Sequence, residues 1–223
     1  MSKIIYRAPC EVAGTLSAVV TLPAGFDPAS GEKLPVILFL HGAGERGDGS
    51  DAELARVCVH GVPKLFTRDP DHQGLRAVTI SPQCPTGMVW THLIPPLMAW
   101  FRAAAEKFGG DPARAAVTGL SMGGYGTWEL LCTYPDAFVA AAPICGGGSA
   151  WRTSALRGKR LRVFHGLDDN VVPFEQSLTM VRGARAAGAE VSFTAYDLVG
   201  HNSWDRAYES TDLIRWLVGG ADA

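Results

Sequence analysis

The chain has 223 residues, 47% of them apolar and 19% charged, a balance that can close one substantial core. Twenty Lys and Arg stand against twenty-two Asp and Glu, so no basic surplus exists to neutralise a phosphate backbone or grip an anionic membrane, and neither nucleic acid nor membrane is an expected partner. No stretch approaches a spanning helix and Met1 to Arg7 lack a signal-like apolar run, which predicts a cytoplasmic protein.

Cys10, Cys58, Cys84, Cys132 and Cys145 are scattered singly with no C-x-x-C pair, which argues against a disulfide framework or a zinc site. A Cys84–Cys145 bridge stays open for an exported protein, since both follow predicted strands. No repeat, low-complexity tract or linker interrupts the chain, so 1–223 reads as one domain.

The elements alternate. Two N-terminal strands are predicted near 4–11 and 15–22. Val36-Ile37-Leu38-Phe39-Leu40 then forms the solid apolar run of a strand covered on both faces. Ala77 to Ile80 precedes a helix over about 93–108, and Ala115 to Thr118 precedes another over about 122–133. A strand at Val139 to Ile144 and one at Arg162 to Phe164 follow, then a helix near 174–187, a strand at Val191 to Tyr196, and a closing amphipathic helix from Ser203 to Leu217. This succession implies an α/β architecture: a mostly parallel sheet of about eight strands with helices on both faces and ligands beyond the carboxyl ends of the strands.

Gly119-Leu120-Ser121-Met122-Gly123 lies directly after a strand and before a helix, the context that G-x-S-x-G requires. A serine on so tight a turn is forced into a sparsely populated backbone conformation, and its neighbours two residues away must lack bulk. The alternative is a glycine-rich connection with an incidental serine. A hydroxyl needs a base to become a nucleophile, and histidine is the side chain that titrates near neutrality. His41 and His165 each end a strand in a His-Gly pair, which suits packing or loop bracing; His60, His72 and His92 lie in polar connections and read as solvated. His201, in Gly200-His201-Asn202-Ser203-Trp204 after the last strand, falls on the same sheet edge as Ser121.

An imidazole acting as base needs an acceptor that fixes its tautomer and offsets the charge it gains. Asp168, Asp169 and Asp197 compete. Asp169 is preferred because His165 to Pro173 forms a turn that can aim it at the site, leaving Asp168 to cap or face water and Asp197 as the fallback. The oxyanion that forms during acyl transfer needs backbone donors: the N–H of Met122, and that of Ala43 in the small loop His41-Gly42-Ala43-Gly44. Glu45, Arg46 and Asp48 beside it read as loop braces. Gly42 to Gly47 also fits G-x-G-x-x-G, but the polar Asp48-Gly49-Ser50-Asp51 follows where a dinucleotide site needs a helix, so that reading is rejected and no cofactor is expected. Acids and histidines are spread along the chain without metal spacing.

On these residues the sequence resembles the α/β-hydrolase superfamily, whose triad runs Ser, acid, His along the chain, here Ser121, Asp169 and His201. Leu40 to Gly47, Gly119 to Gly124 and Gly200 to Trp204 carry the likeness. It is most similar to compact carboxylesterase and phospholipase-like enzymes, to dienelactone hydrolases, and to peptidases related to the prolyl oligopeptidase catalytic domain. Dienelactone hydrolases use a cysteine nucleophile, from which Ser121 departs. The resemblance implies a serine carboxylesterase acting on small-molecule or polymer-linked esters, with a serine peptidase and a non-catalytic binding module as rivals. The quick return of the chain after Gly146-Gly147-Gly148-Ser149 leaves little room for a cap, which predicts an open cleft with Trp90 and Trp204 as candidate substrate-binding walls or, equally, core residues.

Overall fold

Val36 to Leu40 is apolar at every position because both faces of its strand are covered. In the computed structural model, which describes residues 3–219, this run belongs to β3 (Leu34–Leu40) and every residue of it is buried. The other strands are β1 (Lys3–Cys10), β2 (Gly14–Thr21), β4 (Val78–Pro82), β5 (Gly110–Leu120), β6 (Ala140–Ile144), β7 (Arg160–Gly166) and β8 (Glu190–Tyr196). Helices α1 (Asp51–Leu54), α2 (Gly61–Arg68), α3 (Ile94–Lys107), α4 (Met122–Thr133), α5 (Phe174–Ala186), α6 (Trp204–Glu209) and α7 (Leu213–Gly219) complete the regular structure.

The strands form one sheet in the order β1-β2-β4-β3-β5-β6-β7-β8. The first two pairings are antiparallel and the rest parallel, as the βα alternation predicts. Alternate residues of β3 face opposite layers: Val36, Leu38 and Leu40 pack with residues of α3, α4 and α5, whereas Ile37 and Phe39 pack with residues of α2, α6 and α7. The chain leaves β3 toward β4 on one side and returns through β5 on the other, which makes the gap between their carboxyl ends the switch point where such sheets bind ligands.

Three of the departures from expectation bear on how the elements pack. β5 begins at Gly110, ahead of its apolar run, because Gly110 pairs with Leu34 before the register slips between Leu34 and Val36. Asp111-Pro112 sits in that slip, and the pair reads as a turn in the sequence. Helix α2 was not anticipated, since Gly61 and Pro63 weaken its signal. Its apolar side is nonetheless buried through Val62 and Phe66. The closing segment is two helices, divided where Thr211 Oγ1 accepts from the Leu213 N–H (3.1 Å) and donates to Ala207 O (2.6 Å). Among the described residues no helix is long and apolar enough to cross a membrane.

Candidate active site

Ser121 lies between β5 and α4 with φ 54° and ψ −118°, in the left-handed half of backbone space that a side chain rarely occupies. The strain is held by close backbone packing. A Cβ on Gly123 would collide with the carbonyl oxygen of Leu40, and one on Gly119 would collide with Gly123 itself. The turn thus brings β3, β5 and the start of α4 together and leaves the half-buried serine side chain at the sheet edge.

The three residues singled out from the sequence converge. His201 Nε2 is 2.9 Å from Ser121 Oγ, and His201 Nδ1 is 2.7 Å from Asp169 Oδ2. An ionised carboxylate only accepts, so Nδ1 carries the hydrogen and Nε2 is free to accept from the serine hydroxyl. Asp169 Oδ1 accepts in turn from the N–H groups of Val171 and Val172, both at 2.9 Å. Burial works against ionisation of Asp169, but the hydrogen bonds from His201, Val172 and Val171 outweigh it and hold the carboxyl below its ordinary range. The competing acids Asp168 and Asp197 are exposed.

The expected oxyanion donors occupy the first positions of their helical turns. Met122 opens α4 and Ala43 opens a short 3-10 turn, Ala43–Glu45, so neither N–H has a partner within its own turn. His41 braces that loop. Its Nε2 accepts from the Cys84 N–H (2.9 Å), its Nδ1 lies 2.6 Å from Gly42 O, and burial lowers its pKa to about 4, which keeps the ring neutral. Arg46 donates to Ala43 O and Met88 O, and Asp48 accepts from the Ser50 N–H, so both serve as braces. The G-x-G-x-x-G segment runs through the 3-10 turn rather than opening an α-helix.

The two tryptophans divide. Trp90 borders a cleft of about 370 Å³ beside Ser121, together with Val89, Thr91, Met122 and Tyr125. It is also buried, and its indole N–H donates to His41 O at 2.9 Å, so it supports the oxyanion loop from beneath. Trp204 is half-buried and does not line that cleft; it lies edge-on to His201 at 5.3 Å and to His60 at 5.4 Å. His60 and His72 are half-buried rather than solvated, whereas His92 is exposed. All five cysteines are free, which removes the Cys84–Cys145 bridge. Cys145, considered from the sequence only as a bridge partner, has its Sγ within 4.8 Å of ligand-type atoms of both Asp169 and His201. Burial pushes that thiol up to about 12 and the acid and imidazole bond each other, so the cluster is a poor metal centre. After β6 the chain passes through one 3-10 segment, Ala150–Leu156, straight into β7, and among the described residues nothing caps the cleft.

No family model matches the sequence. Among solved structures, a thermostable esterase superposes with a TM-score of 0.79 at 30% identity over 98% of this chain and 63% of that one. The chain has the α/β-hydrolase fold. The chain also superposes on dipeptidyl peptidase 4 of Porphyromonas gingivalis, with a TM-score of 0.72 at 18% identity over 98% of this chain and 35% of that one, a likeness of fold alone. A poly(3-hydroxyalkanoate) depolymerase C from Paucimonas lemoignei is 52% identical over 44 residues, 20% of this chain and 11% of the depolymerase. The chain therefore spans less than two thirds of the esterase and about a tenth of the depolymerase.

Proposed function

We propose that this single-domain chain hydrolyses carboxylic esters through an acyl-enzyme, with Ser121 as nucleophile, His201 as base and Asp169 as the acid that orients it. The observation that carries the reading is the unbroken hydrogen-bonded line from Ser121 Oγ through both ring nitrogens of His201 to Asp169 Oδ2, set at a strained strand-to-helix turn. Likeness to an esterase across nearly the whole chain supports it.

His201 Nε2 takes the hydroxyl proton as Oγ attacks the ester carbonyl, and Asp169 stabilises the imidazolium that results. The N–H groups of Met122 and Ala43 meet the oxyanion, each worth about 10²–10³ in rate. Collapse of the tetrahedral species expels the alcohol, which leaves with the proton from His201. Water then repeats the sequence on the acyl-serine and frees the acid.

A cleft of about 370 Å³ walled by Val89, Trp90, Met122 and Tyr125 suits a short acyl chain. Without a cap it also admits esters attached to bulky or polymeric groups, the chemistry named for the depolymerase relative. No cofactor or metal takes part in this scheme, and neither nucleic acid nor a membrane is a partner. Five unpaired thiols suit a reducing compartment, and we assign the protein to the cytoplasm.

Incubation with p-nitrophenyl acetate and butyrate tests the activity. Turnover that falls about 10⁶-fold in Ser121→Ala is the expected result, and full turnover in that variant overturns the assignment. Matched ester and anilide substrates separate an esterase from a peptidase: the ester should dominate. A fluorophosphonate probe that leaves Ser121 unlabelled would point to a binding module.

A further inference from the structure

Asp169 faces two histidines. Besides His201, the fully buried His165 places Nε2 3.1 Å from Asp169 Oδ2 and 2.9 Å from Val172 O. Both oxygens only accept, so His165 Nε2 must carry a hydrogen. On the other side of the ring, Nδ1 is 2.7 Å from Ser177 Oγ, and that hydroxyl is also 2.7 Å from Gly146 O. Ser177 is itself buried on α5. The Ser177 hydroxyl donates to Gly146 O and its oxygen meets the ring nitrogen, which anchors the imidazole between α5 and the loop after β6.

We propose that His165 is a positioning residue for the proposed ester hydrolysis: its Nε2–H, beside the oxygen of Asp169 that faces His201, restrains that oxygen and shares its negative charge. A carboxylate oxygen that accepts from two donors offers less charge to either one. Remove the donor from His165, and Oδ2 stabilises the His201 imidazolium more strongly while Asp169 loses one restraint on its rotation. His201 then holds its proton to higher pH and the triad is less well ordered.

Burial disfavours the imidazolium of His165 more than Val172 O and Asp169 favour it, and the nearby His201 opposes it further. The titratable groups near the pair are Asp169 and His201, with Tyr125 and Cys145 beyond them; burial, the Asp169 charge and mutual proximity hold Tyr125 above its ordinary range, and burial holds the Cys145 thiol at about 12, so both stay uncharged as the rate titrates. The Phe174 ring meets His165 edge-on at 5.8 Å and adds no charge.

The test compares pH–rate profiles of the whole protein on p-nitrophenyl butyrate for His165→Leu, which fills the space without a donor, and His165→Gln, whose amide can replace Nε2–H. In His165→Leu the acid limb should move to higher pH by about half a unit. Its kcat should fall about tenfold, within the cost of a small misplacement, with KM changed less than about twofold. His165→Gln should restore the wild-type limb. A limb in His165→Leu that coincides with wild type, or one displaced equally in both variants, overturns the proposal. The kinetic arm rests on the esterase reading. A second measurement does not: long-range ¹H–¹⁵N correlation in histidine-labelled wild-type protein should show His165 protonated at Nε2. An unprotonated Nε2 overturns the proposal whether or not esters turn over or His165→Leu folds.

Discussion

The turn that carries Ser121 and the loop that carries Asp169 deliver their side chains by opposite means. At Ser121 the backbone is strained and packing enforces the strain: Gly119 and Gly123 let β5 and α4 close against β3, and no side chain takes part. At Asp169 the backbone is unstrained and the side chain does the organising, since its own carboxylate ties down the amides of Val171 and Val172 while meeting His201 and His165. A turn held by packing belongs to the core and fails with it. A loop held by polar bonds can lose its chemistry and keep the fold.

That contrast can be broken deliberately. Gly123→Ala drives a Cβ into the Leu40 carbonyl, so it should remove both stability and activity. A cost of about 3 kcal/mol or more is expected, read by thermal denaturation followed by circular dichroism. Asp169→Asn keeps a carbonyl for the two loop amides but loses the charge, and should lower kcat about 10⁴-fold while the protein still unfolds cooperatively. Equal loss of structure in the two variants would erase the distinction.

Acid should weaken the two regions in different windows. His41, beneath the oxyanion loop, has a folded pKa lowered to about 4, against roughly 6.5 in the unfolded chain. Between those values the unfolded state binds more protons, so stability is fully present above the upper one and is lost as pH falls toward the lower, by on the order of 3 kcal/mol at most. His41→Gln should flatten that part of a chemical-denaturation series from pH 7 to 4.5. Asp169 is also held below its ordinary range, so its contribution persists above the unfolded value and disappears only as pH falls through the folded one, a later loss than that of His41. The smallest effect belongs to a site in neither region. Val89→Ala widens the cleft without touching the triad, and should shift the octanoate-to-butyrate preference in kcat/KM by about five- to tenfold.

The two regions also differed in how far they could be read in advance. The serine turn is a local pattern, five residues in a fixed strand–helix context, and its glycines state the packing they permit. Asp169 and His201 were found from their places after β7 and β8, because parallel strands bring every such loop to one edge. His165 was read as a brace, a reading its burial supports, but its contact with Ser177 lies on a helix twelve residues away and leaves no periodic trace. Helix α2 is masked in the sequence because Gly61 and Pro63 interrupt an apolar face that distant elements, β2, β3, β4 and α6, complete. The break between α6 and α7 was visible in principle: Ser210-Thr211-Asp212 is a run of capping residues inside an apolar pattern, and the pattern was given more weight than the caps.

An uncapped cleft has a chemical corollary. Once an acyl group sits on Ser121, bulk solvent reaches it directly, and any small alcohol dissolved there competes with water for the carbonyl. In methanol-containing buffer the enzyme should form methyl esters alongside free acid, in proportion to the alcohol supplied. Openness of this kind favours breadth of partners over control of the product.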